Sequence, residues 1–512
     1  MSATSPPRLL YFNGPWDYVG ERIRESYIAP FRRLLEQDFE VISIEGDCDF
    51  RREVETHRPD LVLFHTGCEA PHEPEVKIAN TDAFPELPRL GYMFRDPFSP
   101  SRAATMNRMR AWGVHQVVTD FRPSDAPAPY FKDTFYLPWW IDDTVFRDYG
   151  EEKSLWVALT GTGWFTRCIY TWRPEICRQL LPKVPIFHVP GGGNRSTDHD
   201  YTGENYARLL NRSHFSAGCG TVSRYITLKL LEIPASRCCL VTEETEAMKA
   251  LGFRDGVNCV FADAKNVVAK VMALAKDESR LRAITDAGYK LAHERHTQRN
   301  RRVFAEWFQL WKSKKPGERI VQVNPLEPLR LVATDVPAPA CTFPAENPLT
   351  DAIIEGYGLM AENRWADALA KFDWIIGIVP CVAEARIGAA LSLVRLGRPA
   401  EAVPHLTYNL KLMLEHFRFS QADPIDMAVT AAVLMRVKDA KTAVSILDRN
   451  PELRHPALNA ARWIFAKAHP ALAQRPAFQI SEGDESANVE TVHILPQKTF
   501  REWTALLMSC LR

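Results

Sequence analysis

The sequence predicts two doubly wound α/β domains followed by an all-α domain of helical repeats. A chain of 512 residues is too long for one ordinary core. Short apolar strands alternate with helix-period segments over the first three fifths of the chain, which is typical of parallel sheets. A motif then recurs at a spacing of 34 residues. We expect domains at 1–150 and 151–320, a Pro-rich linker at 321–348 and a helical domain at 349–512.

The first predicted domain alternates short apolar runs with segments of helical periodicity. Turn residues such as Gly14 separate them. The predicted strands are Arg8–Phe12, Glu40–Ile44, Pro59–His65, Arg89–Phe94 and His115–Thr119. The predicted helices are Val19–Leu35, Arg51–His57 and Ala103–Trp112.

The second predicted domain repeats this alternation. Its strands are predicted at Leu155–Gly163, Val184–Val189 and Cys238–Val241. Its helices are predicted at Arg173–Leu181, Tyr225–Ile233, Ala247–Leu251 and Thr297–Trp311. The last helix carries an aromatic stripe that predicts a core face, formed by Phe304, Trp307, Phe308 and Trp311. The glycine run at 191–193 lacks the lysine and hydroxyl of a P-loop, so we interpret it as a loop.

The segment before the helical domain is rich in proline. Six prolines between residues 325 and 348 predict a stiff, extended linker. Beyond it, Asn363–Phe372 aligns with Gly397–Leu406 at an offset of 34, and Lys438–Leu447 looks like a third copy. A period of 34 residues in paired helices is the tetratricopeptide signature. The polar stretch 478–496 is predicted to be disordered before a final helix.

Composition excludes several classes of protein. Lys+Arg and Asp+Glu both total 63, so no net charge attracts nucleic acid or an anionic membrane. The eleven cysteines form no C-x-x-C pair, which argues against a zinc ribbon or a disulfide framework. No apolar run reaches the roughly 18–20 residues of a membrane span. We expect a cytoplasmic protein with no membrane span, no metal and no nucleic-acid partner.

Most candidate functional residues lie in one stretch of the sequence. A helix carrying Lys229 and Glu232 leads through a short apolar strand into the acidic segment Thr242–Glu246. Polar groups at the carboxyl end of a parallel strand are where open α/β sheets bind ligands. With the later Gly252-Phe253 pair and the segment His296–Arg301, this order resembles the CgeB-like (spore-maturation type) glycosyltransferases. The resemblance covers about residues 200–310.

The resemblance implies a GT-B fold, with two Rossmann-like domains, and transfer of a sugar from a nucleotide-sugar donor to an acceptor hydroxyl. It implies that Lys229 contacts the diphosphate and that Glu232 accepts hydrogen bonds from the ribose. Related GT-B families carry an acid eight positions before Glu232, whereas this chain has Arg224, which could bind phosphate. No obligatory metal or other cofactor is implied. Without the resemblance, Lys229 and Glu232 would be an ordinary helical ion pair.

Three further residues are candidates for donor binding. Glu243 and Glu246 follow the strand and could hold donor sugar hydroxyls, although acidic residues are equally favoured at a helix start. Gly161 ends a strand and would let a ligand approach the backbone closely.

The acceptor side is assigned to the first domain. Gly14 lies in its first strand-to-helix turn, and Asp17 follows it. His65 ends a central strand and is the best-placed general base if transfer inverts the anomeric centre. Asp96 is the rival base. Lone histidines are commonly structural, and a retaining mechanism would leave no identifiable base.

The sequence therefore predicts a metal-independent glycosyltransferase whose helical module docks a protein acceptor, as in flagellin-type O-glycosylation, or an assembly partner. Repeat stacks offer binding surfaces and seldom carry chemistry. Surface-polysaccharide synthesis is the enzymatic alternative. A non-catalytic binding scaffold with a degenerate GT-B fold is the alternative from another class.

Overall fold

The computed structural model describes residues 5–17, 19–68, 75–94, 98–120, 134–164, 168–190 and 201–511. Its strands are β1 (Arg8–Asn13), β2 (Glu40–Glu45), β3 (Cys48–Asp49), β4 (Leu61–Cys68), β5 (Ile78–Ala79), β6 (Arg89–Phe94), β7 (Val117–Thr119), β8 (Thr134–Tyr136), β9 (Leu155–Gly161), β10 (Ile186–Pro190), β11 (Ser213–Ala217), β12 (Cys239–Thr242), β13 (Val260–Phe261), β14 (Glu318–Val321) and β15 (Arg330–Ala333). The predicted glycine-run loop lies outside the described residues.

The α-helices of the two sheet-containing domains are α1 (Glu21–Ile23), α2 (Ala29–Glu36), α3 (Phe50–His57), α4 (Arg102–Ala111), α5 (Trp172–Leu180), α6 (Gly203–Asn211), α7 (Lys229–Ala235), α8 (Glu246–Ala250), α9 (Val267–Ala275), α10 (Glu278–Arg295) and α11 (Val303–Ser313). Those of the helical region are α12 (Pro348–Ala361), α13 (Trp365–Ile378), α14 (Ala383–Arg395), α15 (Pro399–Lys411), α16 (Pro424–Arg436), α17 (Ala440–Asp448), α18 (Pro456–Ala468) and α19 (Phe500–Leu511). Every helix within the described ranges is too short or too polar to cross a bilayer.

The two predicted sheets are present, and both are parallel. Six strands of the first domain lie in the order β2-β1-β4-β6-β7-β8. Five strands of the second lie in the order β10-β9-β11-β12-β13. Each order reverses direction near its middle, which creates a crevice at the carboxyl ends of the strands, where such sheets bind ligands. The α/β fold class is thus confirmed.

Helix α11 packs back across both domains. The side chains of its predicted stripe are buried at Phe304, Trp307 and Phe308 and half-buried at Trp311. The ring of Phe304 lies 5.6 Å from that of Phe31 in the first domain, and the Trp307 indole donates to Gln116 Oε1 at 2.7 Å. The aromatic stripe is therefore a core face, and it fixes the second domain against the first.

The Pro-rich segment differs from the extended linker that its composition predicts. β14 and β15 pair as an antiparallel ribbon. Leu329 and Phe343 are buried, and the Phe343 ring lies 5.5 Å from the ring of Tyr136. The connection is therefore packed rather than extended, and buried Phe343 anchors it to the first domain.

The recurring motif corresponds to one backbone turn used three times. Helices α12, α14 and α16 each end with a residue of positive φ, at Asn363 (59°), Gly397 (77°) and Lys438 (66°). In each turn the next amide donates to the carbonyl five residues earlier, at 2.9, 2.8 and 2.9 Å. This is the Schellman helix ending. The equivalent core positions are also buried, at Ala368, Ala402, Ala443, Phe372, Leu406 and Leu447. A helical C-terminal region is thus confirmed, while its tetratricopeptide assignment stays a prediction.

The helical region is joined to the first domain through buried charges. Arg102 on α4 lies 3.6 Å from Glu384 on α14, and it also donates to the carbonyl of Val492. The Ile494 amide donates to Glu384 at 2.6 Å. The predicted disorder of 478–496 is therefore wrong: this polar stretch is ordered because its backbone and side chains satisfy buried charged groups of two domains.

His493 lies in the same buried cluster and has an unusual titration. Its Nε2 is 3.1 Å from Asp426 and 3.6 Å from Asp423. Burial lowers its pKa, but the hydrogen bond to Asp426 and the charge of Asp423 outweigh burial and raise the pKa to about 9. The protonated imidazole thus neutralises carboxylate charge inside the protein.

Stability is expected to fall with rising pH because of His493. A folded-state pKa of about 9 exceeds the unfolded value of about 6.5. The stabilisation is therefore complete below about pH 6.5 and is lost as pH rises through 9. Urea denaturation of the wild type at a series of pH values should show this loss, and His493→Gln should flatten it. Identical pH profiles for the two proteins would contradict the assignment.

Candidate functional site

The candidate site lies at the carboxyl edge of the second sheet. β9 ends at Thr160 and Gly161, and β12 ends at Thr242, directly before Glu243. β11 lies between these two strands. Because parallel strands share one carboxyl edge, residues far apart in sequence meet here.

Lys229 begins α7 and reaches this edge. Its Nζ donates to Thr160 Oγ1 at 2.7 Å and to the Tyr206 hydroxyl at 3.2 Å. It also lies 4.6 Å from the centre of the Tyr206 ring, a cation–π distance. The ammonium group is half-buried and held among neutral hydroxyls.

Gly161 allows the cations to approach the backbone. Its φ is +90°, a region that residues with a Cβ rarely adopt. A Cβ at this position would lie 3.2 Å from Lys229 Cε and 3.6 Å from an Arg173 Nη1. The glycine is thus required both for its turn and for the space that two positively charged side chains occupy.

Arg173 is the functional candidate that the sequence did not reveal. It is only 2% exposed, and its Nη1 donates to the carbonyl of Thr162 at 2.7 Å. Its guanidinium stacks on Tyr170 at 3.6 Å. Across the described ranges, no carboxylate lies within ion-pair distance of it and its Nε has no hydrogen-bond partner. In the sequence, Arg173 is distinguished only by its position in the first turn of a helix, and that position does not indicate a function.

Arg173 is buried without an acidic partner among the described residues, and the positive charge of Lys229 lies near it, so this edge favours an anionic ligand. Burying a charge without compensation is costly, so such groups are retained where a ligand supplies the opposite charge. Arg173 and Lys229 converge on Gly161 from different helices. A phosphate group bound at this point would be close to both cations.

Arg224 and Glu243 form an ion pair beside this edge. Glu243 is buried, and Arg224 has a positive φ of 59°. Glu246 lies apart from them: its side chain is exposed and pairs with Lys249 at 2.9 Å. Its contacts are those of an acidic residue at a helix start, the alternative that the sequence left open.

Glu232 lies on the same helix as Lys229. One turn further along α7, it is 6% exposed and lines a crevice between the domains with Tyr27, Trp139 and Trp140. Arg33 and Asp142 form an ion pair in the same crevice, at 2.5 Å. Glu232 is therefore a buried acid at the domain interface, next to the helix face that carries Lys229.

His65, the first candidate base, lies in the interior of the first domain. His65 is 4% exposed, its Nδ1 lies 2.5 Å from the Tyr11 hydroxyl, and the rings of Trp16, Phe31 and Tyr92 surround it. This aromatic surround also raises the pKa of Tyr11 through burial.

Two other acceptor-side candidates, Gly14 and Asp17, follow β1. Asp17 is exposed, and Gly14 would tolerate a Cβ, which would lie 3.8 Å from Val76. Asp96 lies outside the described residues. The roles of these residues, like that of His65, stay predictions.

His296 and Arg301 are structural. His296 Nε2 donates to the Leu251 carbonyl at 2.8 Å, and Arg301 donates to its Nδ1 at 3.1 Å. Burial and the charge of Arg301 lower the pKa of His296 to about 3. The guanidinium also binds the carbonyls of Pro138 and Trp139. This motif therefore fastens the crossover between the domains.

Comparison with known proteins finds a family model that matches part of the chain. Residues 161–307 match a family model described as glycosyl transferase-like. The matched segment contains Gly161, Arg173, Lys229, Arg224 and Glu243. No curated protein matches the chain in sequence. The matched segment covers most of the second domain and the first part of α11.

Solved structures that are similar to this chain share little sequence with it. HepE of Anabaena, solved with UDP and glucose, is 11% identical with a TM-score of 0.35, over 57% of this chain and 96% of HepE. Sucrose-phosphate synthase of Thermosynechococcus elongatus is 9% identical with a TM-score of 0.41, over 61% and 100%. An α1,3-fucosyltransferase is 10% identical with a TM-score of 0.37, over 62% and 92%.

Proposed function

We propose that this protein is a glycosyltransferase that moves a sugar from a nucleotide diphosphate sugar to an acceptor hydroxyl. One observation carries the proposal: Arg173, which is buried, and Lys229, which is half-buried, converge on Gly161. A diphosphate is the ligand whose charge compensates two cations. The glycosyl transferase-like family match over the same segment supports a sugar-linked diphosphate.

The two cations supply the chemistry that transfer needs. Breaking the glycosidic bond to the diphosphate develops negative charge on the leaving oxygen. Arg173 and Lys229 are held in place before the reaction, by the Thr162 carbonyl and by the hydroxyls of Thr160 and Tyr206. Preorganised cations stabilise such charge without reorganisation. They can take the role of a divalent ion, so we propose transfer without a metal.

The remaining site residues take secondary roles in this proposal. Glu232 accepts hydrogen bonds from the ribose hydroxyls at the domain interface. Glu243, held by Arg224, faces the donor sugar. His65 and Asp96 remain the candidate bases. Because His65 is enclosed by rings, its action as a base requires the first domain to open toward the acceptor.

The acceptor is proposed to be a protein, as in flagellin-type O-glycosylation, with the helical region as the docking module. The packing of that region on the first domain, where the acceptor would bind, supports this assignment. Ten free cysteines within the described residues are compatible with a reducing, cytoplasmic setting. A polysaccharide acceptor is the alternative.

The test is calorimetric titration with nucleoside diphosphates and nucleotide sugars of several bases, with and without EDTA. We expect one nucleotide to bind, to a similar extent in both conditions. The bound nucleotide sugar is then offered to candidate acceptors in a transfer assay. If the folded protein binds none of the panel, the transferase proposal is wrong and the chain is better explained as a binding scaffold.

A further inference from the structure

An open groove lies in the helical region, away from the proposed donor site. One wall is α17, and the other is the 3₁₀ segment Pro470–Gln474 with its flanking residues. Its volume is about 760 Å³, within the range of about 300–1,000 Å³ that is usual for ligand sites. The lining includes Lys441, Val444, Asp448, Arg449, Leu472 and Arg475.

The groove is positively charged around an apolar floor. Lys441 and Arg449 are exposed, and neither has an acidic partner in the parts of the chain that the structure describes. Arg475 forms an ion pair with Asp448 at 2.8 Å, so the charges of these two residues cancel. Val444 and Leu472 lie between the charges. The surface therefore offers two unpaired cations with apolar contact area between them.

We propose that this groove binds an acidic segment of a partner protein. Lys441 and Arg449 are eight positions apart along α17 and its cap, which is about 12 Å at 1.5 Å per residue. An extended peptide advances about 3.3 Å per residue, so side chains four positions apart match this distance. The complementary segment has two acidic residues at positions i and i+4 with an apolar residue between them.

The charge and the apolar floor both favour a peptide over nucleic acid. Nucleic acid binds along extended positive surfaces, whereas this chain has no net charge. Val444 and Leu472 are positioned for an aliphatic side chain. The inference deepens the proposed function, because it names the chemical class of the docked partner and rests on that function for the partner's role as acceptor.

The test is fluorescence anisotropy with labelled peptides on the full-length protein. The probe carries Glu-Ala-Leu-Ala-Glu between Gly-Ser flanks, and matched peptides carry lysines in place of the glutamates, or the glutamates side by side. We expect the first peptide to bind best, with affinity that falls as salt rises. Lys441→Glu combined with Arg449→Glu should weaken it about tenfold or more and should favour the lysine peptide.

The matched control is Lys411→Glu combined with Arg418→Glu, which makes the same charge change at exposed residues outside the groove. This variant should bind the acidic peptide like the wild type. Equal loss in both variants, or no preference among the three peptides, would overturn the groove assignment. Nucleotide titration of the same variants separates the two proposals, since it reports the donor site alone.

Discussion

Replacing Lys229 with alanine is expected to weaken nucleotide diphosphate binding by about 10- to 100-fold, because a hydrogen bond to a charged group contributes roughly 1.5–3 kcal/mol. Arg173→Gln should have a similar effect, since its guanidinium reaches the same point beside Gly161. Titration calorimetry with the nucleotide that the wild type binds measures both. Lys290→Ala, an exposed lysine of the same domain, is the control and should change nothing.

Stability gives a second readout that separates binding from packing. Arg173 is buried and lacks an acidic partner among the described residues, so removing its charge should leave the unfolding free energy of the nucleotide-free protein unchanged or higher. Added nucleotide should raise the melting temperature of the wild type and of Lys290→Ala far more than that of either site variant. If Arg173→Gln binds normally but unfolds more easily, Arg173 is a packing residue and the anion site is wrong.

The fold was largely predictable because its signals are local. Apolar runs marked most strands of both sheets, but not β8, β11 or β13, and the 34-residue repeat reflects one helix ending used three times. The connection after α11 and the stretch 478–496 were not predictable in this way. Their order depends on contacts with distant partners, such as Phe343 with Tyr136 and Ile494 with Glu384.

The candidate site was predictable only where a motif or a strand end marked it. Lys229 and Gly161 stood at such positions, and the structure brings them together. Arg173 did not stand at such a position. It is recognisable only because it is buried and has no acidic partner among the described residues. A sequence does not show which charges lack partners, since pairs such as Arg224 with Glu243 form between separate elements.

Arg102→Met is expected to destabilise the protein by about 3–5 kcal/mol, the usual cost of breaking a buried ion pair. Arg102 is 2% exposed and its partner Glu384 is 1% exposed. Methionine fills similar space but leaves the Glu384 carboxylate buried, with the Ile494 amide at 2.6 Å as a remaining donor. Urea denaturation followed by circular dichroism measures the change, and it should appear in the transition that separates the helical region from the first domain.

The double variant Arg102→Met with Glu384→Gln decides whether charge is the cause. Glutamine still accepts the Ile494 amide but carries no charge, so the double variant should recover much of the lost stability. Recovery would mean that the pair specifies how the two parts of the chain meet, and that its net contribution to stability is small. Additive losses would instead mean that Arg102 acts through its hydrogen bond to the Val492 carbonyl, which holds the 490–494 segment in place.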